Sequence, residues 1–240
     1  MAGHAALRVR GEADALVIAD LHLGYGEELE GKGVFIEGQN EVMLSELEEL
    51  SSLAGRLIML GDLKHTIGYS RRSSLPAFMS SLLRSYDSID VVPGNHDSLI
   101  ARSLPQRIVL HSTAGFAEKG ISYCHGHAWP GRAMMSSRLL VMGHLHPAVR
   151  FTDSLGNIYI EKCWLRVPFR RTDPSGKYSS LPAEMVVIPA FNPLLTGTAV
   201  NARGSRGLGP FFRDGLISLS SGRLYLLDGT YIGTVSSNSE

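Results

Sequence analysis

The sequence is poor in cysteine, with only Cys124 and Cys163 among 240 residues. Two cysteines are too few for a disulfide scaffold. A chain of this length does not need one, because folding can bury roughly 70% of its unfolded surface. Net charge is also lacking, with 23 basic against 23 acidic residues. That argues against a protein drawn to nucleic acid by global charge alone. No apolar run approaches the roughly 18 residues of a membrane span. The first twenty residues have no basic start followed by an apolar core and a small-residue cleavage site. Hydrophobic residues make up 44% and charged residues 19%, a globular rather than a disordered composition. The expectation is a cytoplasmic protein without membrane contact, folded as a single α/β domain over 1–240.

The charge that is present is unevenly spread. Residues 27–49 carry eight glutamates and one lysine, which reads as a solvated helix face. Residues 162–213 carry eight basic residues (Lys162, Arg166, Arg170, Arg171, Lys177, Arg203, Arg206, Arg213) against Asp173 and Glu184. That segment is either a basic surface loop or a patch for an anionic substrate.

Five short apolar runs stand out: 15–20, 56–62, 88–97, 121–127 and 138–146. Each is rich in Val, Ile, Leu or Met and stops at a glycine or polar residue, the pattern of a buried strand. Helices are expected at 39–54 and 71–86 between the first three. In the former, Val42, Leu44, Leu47, Leu50 and Leu53 recur close to a 3.6-residue period. Strand–helix–strand order implies a parallel core. Beyond residue 147 the pattern predicts a hairpin over 147–165, a long loop over 166–182 and a strand over 183–191. An irregular stretch is expected over 192–215. Strands near 216–220, 223–228 and 230–235 close the chain, forming a second sheet against the first.

Each of the five strands ends in residues able to ligate a metal. They are Asp20-Leu-His22, Gly61-Asp62, Gly94-Asn95-His96-Asp97, His125-Gly-His127 and Gly143-His144-Leu-His146. A lone strand-end Asp is usually a cap or turn residue, and His4 and His111 are read as structural. Five such clusters, each directly after a buried strand, are hard to attribute to chance. In open α/β sheets ligands bind beyond the carboxyl ends of the strands. If these strands are neighbours, all five ends meet on one edge, and an extended Asp-x-His end would aim both side chains to one side. Mixed carboxylate, imidazole and amide donors suit Mn²⁺, Fe²⁺, Zn²⁺ or Ni²⁺. Two such ions need a shared carboxylate, for which Asp62 is the natural candidate, and a pair of metals suits phosphoester hydrolysis.

These motifs, in this order over about 15–147, resemble the calcineurin-like metallophosphoesterases. Gly61-Asp-Leu-Lys-His65, Gly143-His-Leu-His-Pro147, Lys162-Cys-Trp-Leu165 and Pro189-Ala-Phe-Asn-Pro-Leu194 are further similar to archaeal phosphoesterases and bacterial DNA-ligase-associated phosphoesterases of that superfamily. The resemblance implies a four-layer α/β/β/α sandwich, two mixed β-sheets face to face with helices outside. It implies two divalent ions, Mn²⁺ first among the candidates. One would be held by Asp20, His22, Asp62 and His146, the other by Asp62, Asn95, His125 and His144. It further implies His96 as the general acid over the leaving group, held by Asp97. An imidazole beside cations is pushed toward its neutral form, and a carboxylate such as Asp97 opposes that shift and can fix the tautomer. His127 is left between a supporting role and a substrate contact. One departure is His65, three residues after Asp62, where many relatives carry an acidic or amide side chain.

The resulting expectation is a two-metal phosphoesterase, favouring diesters by analogy, with a nucleotide or nucleic acid among the candidate substrates. A nuclease-like subunit working with a helicase or ligase is the main alternative, with the basic 162–213 segment as its contact surface. A non-catalytic scaffold would be expected to have lost ligands, and none is missing. A metal-dependent amidohydrolase begins with His-x-His, whereas here that pair comes last. A homodimer through the C-terminal strands is a further expectation.

Overall fold

In this computed structural model, which describes residues 2–67 and 73–239, the strands divide between two sheets in chain order. The first holds β1 (Leu7–Val9), β2 (Ala15–Ile18), β3 (Arg56–Leu60), β4 (Ser88–Val92) and β5 (Val109–Leu110), side by side in that order. β1 is antiparallel to β2, and the remaining pairings are parallel. The second sheet holds β6 (Phe116–Glu118), β7 (Ile121–Cys124), β8 (Leu139–Met142), β9 (Pro147–Thr152), β10 (Ile158–Pro168), β11 (Glu184–Val187), β12 (Thr198–Ala199), β13 (Arg223–Leu226) and β14 (Tyr231–Thr234). Its middle, β7–β8–β11, is parallel, the pairings on either side of it are antiparallel, and β12 adds a parallel edge on β9.

Period-two alternation assigns the faces. In the first sheet Leu16, Ile18, Leu57, Met59, Ile89 and Val91 pack outward against helical residues. Ala15, Val17, Ile58, Leu60 and Val92 pack inward against Tyr123, Val141, Trp164 and Val186 of the second sheet. Both faces are covered, so the strands read as continuous apolar runs. Full burial of each such Leu, Ile or Val contributes about 1.5–3 kcal/mol. Arg56 on β3 ties the sheets together at one side, reaching Asp90 on β4 at 2.8 Å and Glu118 on β6 at 2.6 Å.

The outer layer of the first sheet is α2 (Gln39–Leu50) and α3 (Leu75–Ser85), preceded by the short α1 (Tyr25–Gly31). The buried stripe of α2 is Gln39, Met43, Leu47 and Leu50. Val42, expected on that stripe, is exposed, because the 3.6-residue line through Met43 and Leu47 leaves position 42 a turn-third away. The helix stops at Leu50 and a 3₁₀ turn runs on to Leu53, short of the expected 54. Of the helix expected over 71–86, residues 71 and 72 lie outside the described residues. The outer face of the second sheet packs on 3₁₀ turns and the one-turn α4 (Pro210–Arg213), through Met134, Met135, Phe211 and Leu216.

Three expectations are corrected. The second sheet begins at β6, well before residue 148, and takes β7 and β8 with it. The expected strand at 216–220 is a single bridge between Phe169 and Ile217 followed by a 3₁₀ turn at Leu219–Ser221. The 192–215 stretch, expected to be irregular, contains β12 and α4.

Candidate metal centre

The five motif strands split three and two: β2, β3 and β4 in one sheet, β7 and β8 in the other. Their carboxyl ends therefore meet across the seam between sheets rather than along one edge. Nor are the first ligands on extended chain. β2 ends at Ile18, and Asp20 and His22 follow with φ of 59° and 44°. Asp62, His144 and His146 also have positive φ, at 50°, 67° and 46°. Each such non-glycine residue costs of order 1–3 kcal/mol and persists only where its surroundings over-determine it. Here the loops after β2 and β3 hold one another. Asp20 N donates to Gly61 O at 3.1 Å, His22 N to Asp62 O at 2.8 Å, and Leu23 N to Leu63 O at 2.9 Å.

Those turns bring all seven expected ligands together. The donor atoms of Asp20, His22 and His146 lie within 4.8 Å of one another, as do those of Asp62, His125 and His144. Asp62 Oδ2 joins the two groups, 3.6 Å from His22 Nε2 and 3.4 Å from His125 Nε2. Asn95 Oδ1 reaches His125 Nε2 at 3.2 Å. The second carboxylate oxygens are anchored by backbone: Asp62 Oδ1 accepts from His96 N and Asp20 Oδ2 from His144 N, both at 2.9 Å. Gly94 permits the packing, since a Cβ there would sit 2.1 Å from Asp62 Oδ1. His125 is fully buried, and its Nδ1 donates to Leu60 O at 2.8 Å, which leaves Nε2 facing the cluster.

Two buried atoms here, Asp20 Oδ1 and His22 Nε2, make no well-formed hydrogen bond, although His146 Nε2 stands 3.2 Å from the first and Asp62 Oδ2 3.6 Å from the second. Buried polar atoms are otherwise nearly always satisfied. A carboxylate oxygen and an imidazole nitrogen aimed into one cluster without good hydrogen-bond geometry suit a divalent cation. Without one, the cluster shares protons. Burial works against charge on Asp20, yet His146 and His125 hold its carboxyl below the ordinary value. Asp62 is likewise lowered against burial by the hydrogen-bonded His125. Burial pulls His22 and His144 down to about 4. Burial also opposes charge on His125, but Asp62 and Asp20 push it up to about 9. His146 is raised by Asp20 against the same penalty. The two carboxylates thus favour the protonated forms of His125 and His146, and an incoming cation would have to displace such protons.

His96 sits at the rim, its ring 5.0 Å from that of His22. Asp97 does not hold that ring. Its carboxylate accepts from the backbone of Leu63 at 3.0 Å and Gly94 at 2.8 Å, so it braces the loops that carry Asp62 and Asn95. The partner of His96 Nδ1 is His65 O at 2.6 Å. His65 approaches His22, Nδ1 to Nδ1, at 3.3 Å. His127 lies 6.1 Å ring to ring from His144, with its Nδ1 buried and unpartnered. His4 and His111 are structural, bonded to Glu46 and Asp90.

Sequence reasoning missed the support beneath the first ligand loop. Asn192, fully buried, donates to Leu21 O at 2.8 Å and accepts from Gln39 Nε2 at 2.6 Å. Lys162 donates to Ala190 O and Asn192 O at 2.8 and 2.6 Å. The 162–165 and 189–194 segments, noticed only as a likeness, are where this scaffold resides. The basic segment is not one patch either. Lys162 is in this network, Arg166 pairs with Glu184, and Lys177 lies over Trp129 at 3.7 Å. Arg170, Arg206 and Arg213 line a separate cleft of about 580 Å³.

The arrangement of sheets has a solved counterpart. A nuclease from Pseudomonas putida, named MPE, matches over 93% of this chain and 97% of its own, at 16% identity and a TM-score of 0.55. This chain has the calcineurin-like metallophosphoesterase fold. A protein of unknown function from Aquifex aeolicus matches 55% of the chain and 78% of its own length at 19% identity, with a TM-score of 0.38. A Streptococcus pneumoniae protein described as a predicted phosphoesterase matches 93% and 95% at 11% identity, with a TM-score of 0.32. No family model matches the sequence, and no curated protein does. Among the described residues no helix is long and apolar enough to cross a membrane.

Proposed function

We propose that the protein is a two-metal phosphoesterase acting on phosphodiesters. The observation that carries this reading is the pair of donor groups, Asp20–His22–His146 and Asp62–His125–His144, with Asp62 Oδ2 reaching from the second to within 3.6 Å of His22 Nε2 in the first. Asp20, His22, His146 and Asp62 would hold one cation, and Asp62, Asn95, His125 and His144 the other. Mn²⁺ is the first candidate, with Fe²⁺, Zn²⁺ and Ni²⁺ accepted by the same donors. Two bound divalent ions supply an acidified water and neutralise charge on the phosphoryl oxygens.

The chain's own residues do the rest. His96 donates Nδ1–H to His65 O, so its Nε2 is the atom free to meet substrate. In the imidazolium form it delivers a proton to the departing oxygen. Asp97 contributes indirectly, by holding Gly94 and Leu63 where Asn95 and Asp62 must stand. The buried, unpaired cysteines, each pushed up to about 12 by burial, take no part in the chemistry and fit a cytoplasmic setting.

A polyanionic substrate, such as a nucleic acid strand, is favoured by one further feature. One lining residue of the arginine cleft, Gly209, lies near the cluster: a Cβ there would be 3.9 Å from the His144 ring. Phosphates flanking the scissile one would run toward Arg170 and Arg206. The test is a hydrolysis screen of chelator-stripped protein with Mn²⁺ restored. It offers a nitrophenyl monoester, a bis-nitrophenyl diester, cyclic nucleotides and short DNA and RNA. Diester hydrolysis that requires Mn²⁺ and falls at least ~100-fold in folded Asp62→Asn is expected. Full activity of metal-loaded Asp62→Asn refutes the reading. Arg170→Ala with Arg206→Ala should raise KM for oligonucleotides alone. An equal effect on the small diester removes the polyanion argument.

A further inference from the structure

His22 presents a chemical problem. Its Nε2 must carry a lone pair to meet a cation, which requires the proton to sit on Nδ1, the less favoured tautomer of free imidazole. Metal-bound histidines usually solve this by donating the other N–H to a carboxylate or carbonyl. The atom facing His22 Nδ1 is instead another imidazole nitrogen, His65 Nδ1, at 3.3 Å. An imidazole accepts there only if its own proton is on Nε2. On the far side, His65 Nε2 meets the Glu28 carboxylate. Glu28 comes from α1, where Lys32 also engages it, and the Tyr25 ring packs on His65 with centroids 4.9 Å apart.

We infer that Glu28 and His65 form a one-way hydrogen-bond ladder that sets the tautomer of His22, and that His65 is a positioning residue for the cation held through His22 Nε2. This rests on the metal reading above. The donors run in a single direction: His22 Nδ1–H to His65 Nδ1, then His65 Nε2–H to Glu28. Reversing the ladder with a neutral His65 sets a bare His65 Nε2 against a carboxylate, lone pair to lone pair. It also moves the His22 proton onto Nε2, a buried atom whose facing acceptor, Asp62 Oδ2, stands 3.6 Å away, beyond hydrogen-bond reach. With a neutral His65, only the forward direction matches each donor to an acceptor and leaves the lone pair of His22 Nε2 free, in keeping with the lack of a hydrogen bond at that atom. The acidic end of the ladder also raises the basicity of His22 toward a cation. Glu28, in the glutamate-rich stretch over 27–49, thus has a contact to His65 although its side chain stays exposed.

The test uses the full chain in two measurements. Nitrogen-15 correlation spectra of the metal-free protein report the tautomer of His22, and titration calorimetry with Mn²⁺ reports affinity. Wild type should show His22 protonated on Nδ1. His65→Ala and Glu28→Ala should each weaken Mn²⁺ binding at one of two sites by about 10–100-fold. His65→Gln, whose carbonyl can accept from His22, should recover most of that loss. Glu28 is exposed on α1, so its substitution tests the ladder even if His65→Ala fails to fold. Unchanged Mn²⁺ affinity in both alanine variants overturns the inference, as does wild-type His22 carrying its proton on Nε2. A third Mn²⁺ equivalent lost with His65 also overturns it, in favour of a metal held by His22, His65 and His96. Absence of any Mn²⁺ binding by wild type defeats the metal reading instead, and the tautomer spectrum still decides the ladder.

Discussion

Replacing Asn192 with alanine tests the idea that the ligand loop is held from below rather than by the strand it follows. The side chain is fully buried. Its amide nitrogen serves Leu21 O at 2.8 Å, and its oxygen serves Gln39 Nε2 at 2.6 Å and Leu194 N at 2.9 Å. Alanine leaves three groups without partners. Leu194 is part-buried and recovers a water; Leu21 O and the Gln39 amide do not. Each buried orphan costs about 1–3 kcal/mol, so the expected loss from the two is about 2–6 kcal/mol. With a urea m-value of about 3 kcal/mol/M, the unfolding midpoint should fall by about 1 M. Because the loop carries Asp20 and His22, Mn²⁺ affinity should drop together with stability. A midpoint within about 0.2 M of wild type, well under one orphaned group, refutes the argument.

Gly94→Ala places a methyl 2.1 Å from Asp62 Oδ1 and 2.3 Å from Asp62 N; calorimetry should show Mn²⁺ binding weakened at least ~10-fold, and unchanged binding counts against the shared role of Asp62. Metal-free protein should be most stable near pH 6.5 in urea titrations across pH. His125, raised from 6.5 to about 9, contributes stability that is complete below its unfolded value and is lost as pH rises through about 9. His22 and His144, lowered from 6.5 to about 4, contribute stability present above 6.5 and lost as pH falls through about 4. A flat profile over that window contradicts the proton sharing. At pH 7 a cation must displace the proton on His125, so Mn²⁺ uptake should release protons and tighten with pH. Identical calorimetric enthalpies in buffers of different ionisation enthalpy refute that.

The candidate centre was legible because its residues sit where apolar strands stop, and strand ends are visible in composition. Position along the chain could not tell that β7 and β8 belong to a different sheet from β2, β3 and β4. Sheet membership is set by long-range pairing, which local pattern does not encode. The left-handed turns at Asp20 and His22 were invisible for a related reason. No glycine marks them, and they exist because neighbouring loops hydrogen-bond across the strand ends. Val42 shows the limit of counting periods, since several phases of a leucine-rich helix fit the same letters. Asp97 was identified as important with the wrong contact, as its neighbour in sequence is His96 but its carboxylate turns to the backbone. Asn192 carries no signal by itself: a buried asparagine reads like any loop residue until its partners appear.

The division of the donors between two sheets has a mechanical consequence. Asp20, His22, Asp62 and Asn95 belong to one bank of the seam, and His125, His144 and His146 to the other. An ion gripped from both banks acts as a rivet through them. Loading would then slow amide exchange in β3 and β8 alike, although among the described residues no strand of one sheet pairs with a strand of the other. It would also raise resistance to unfolding by an amount set by ion concentration relative to its dissociation constant. The polar mouth and the apolar seam behind it would open and close as one unit.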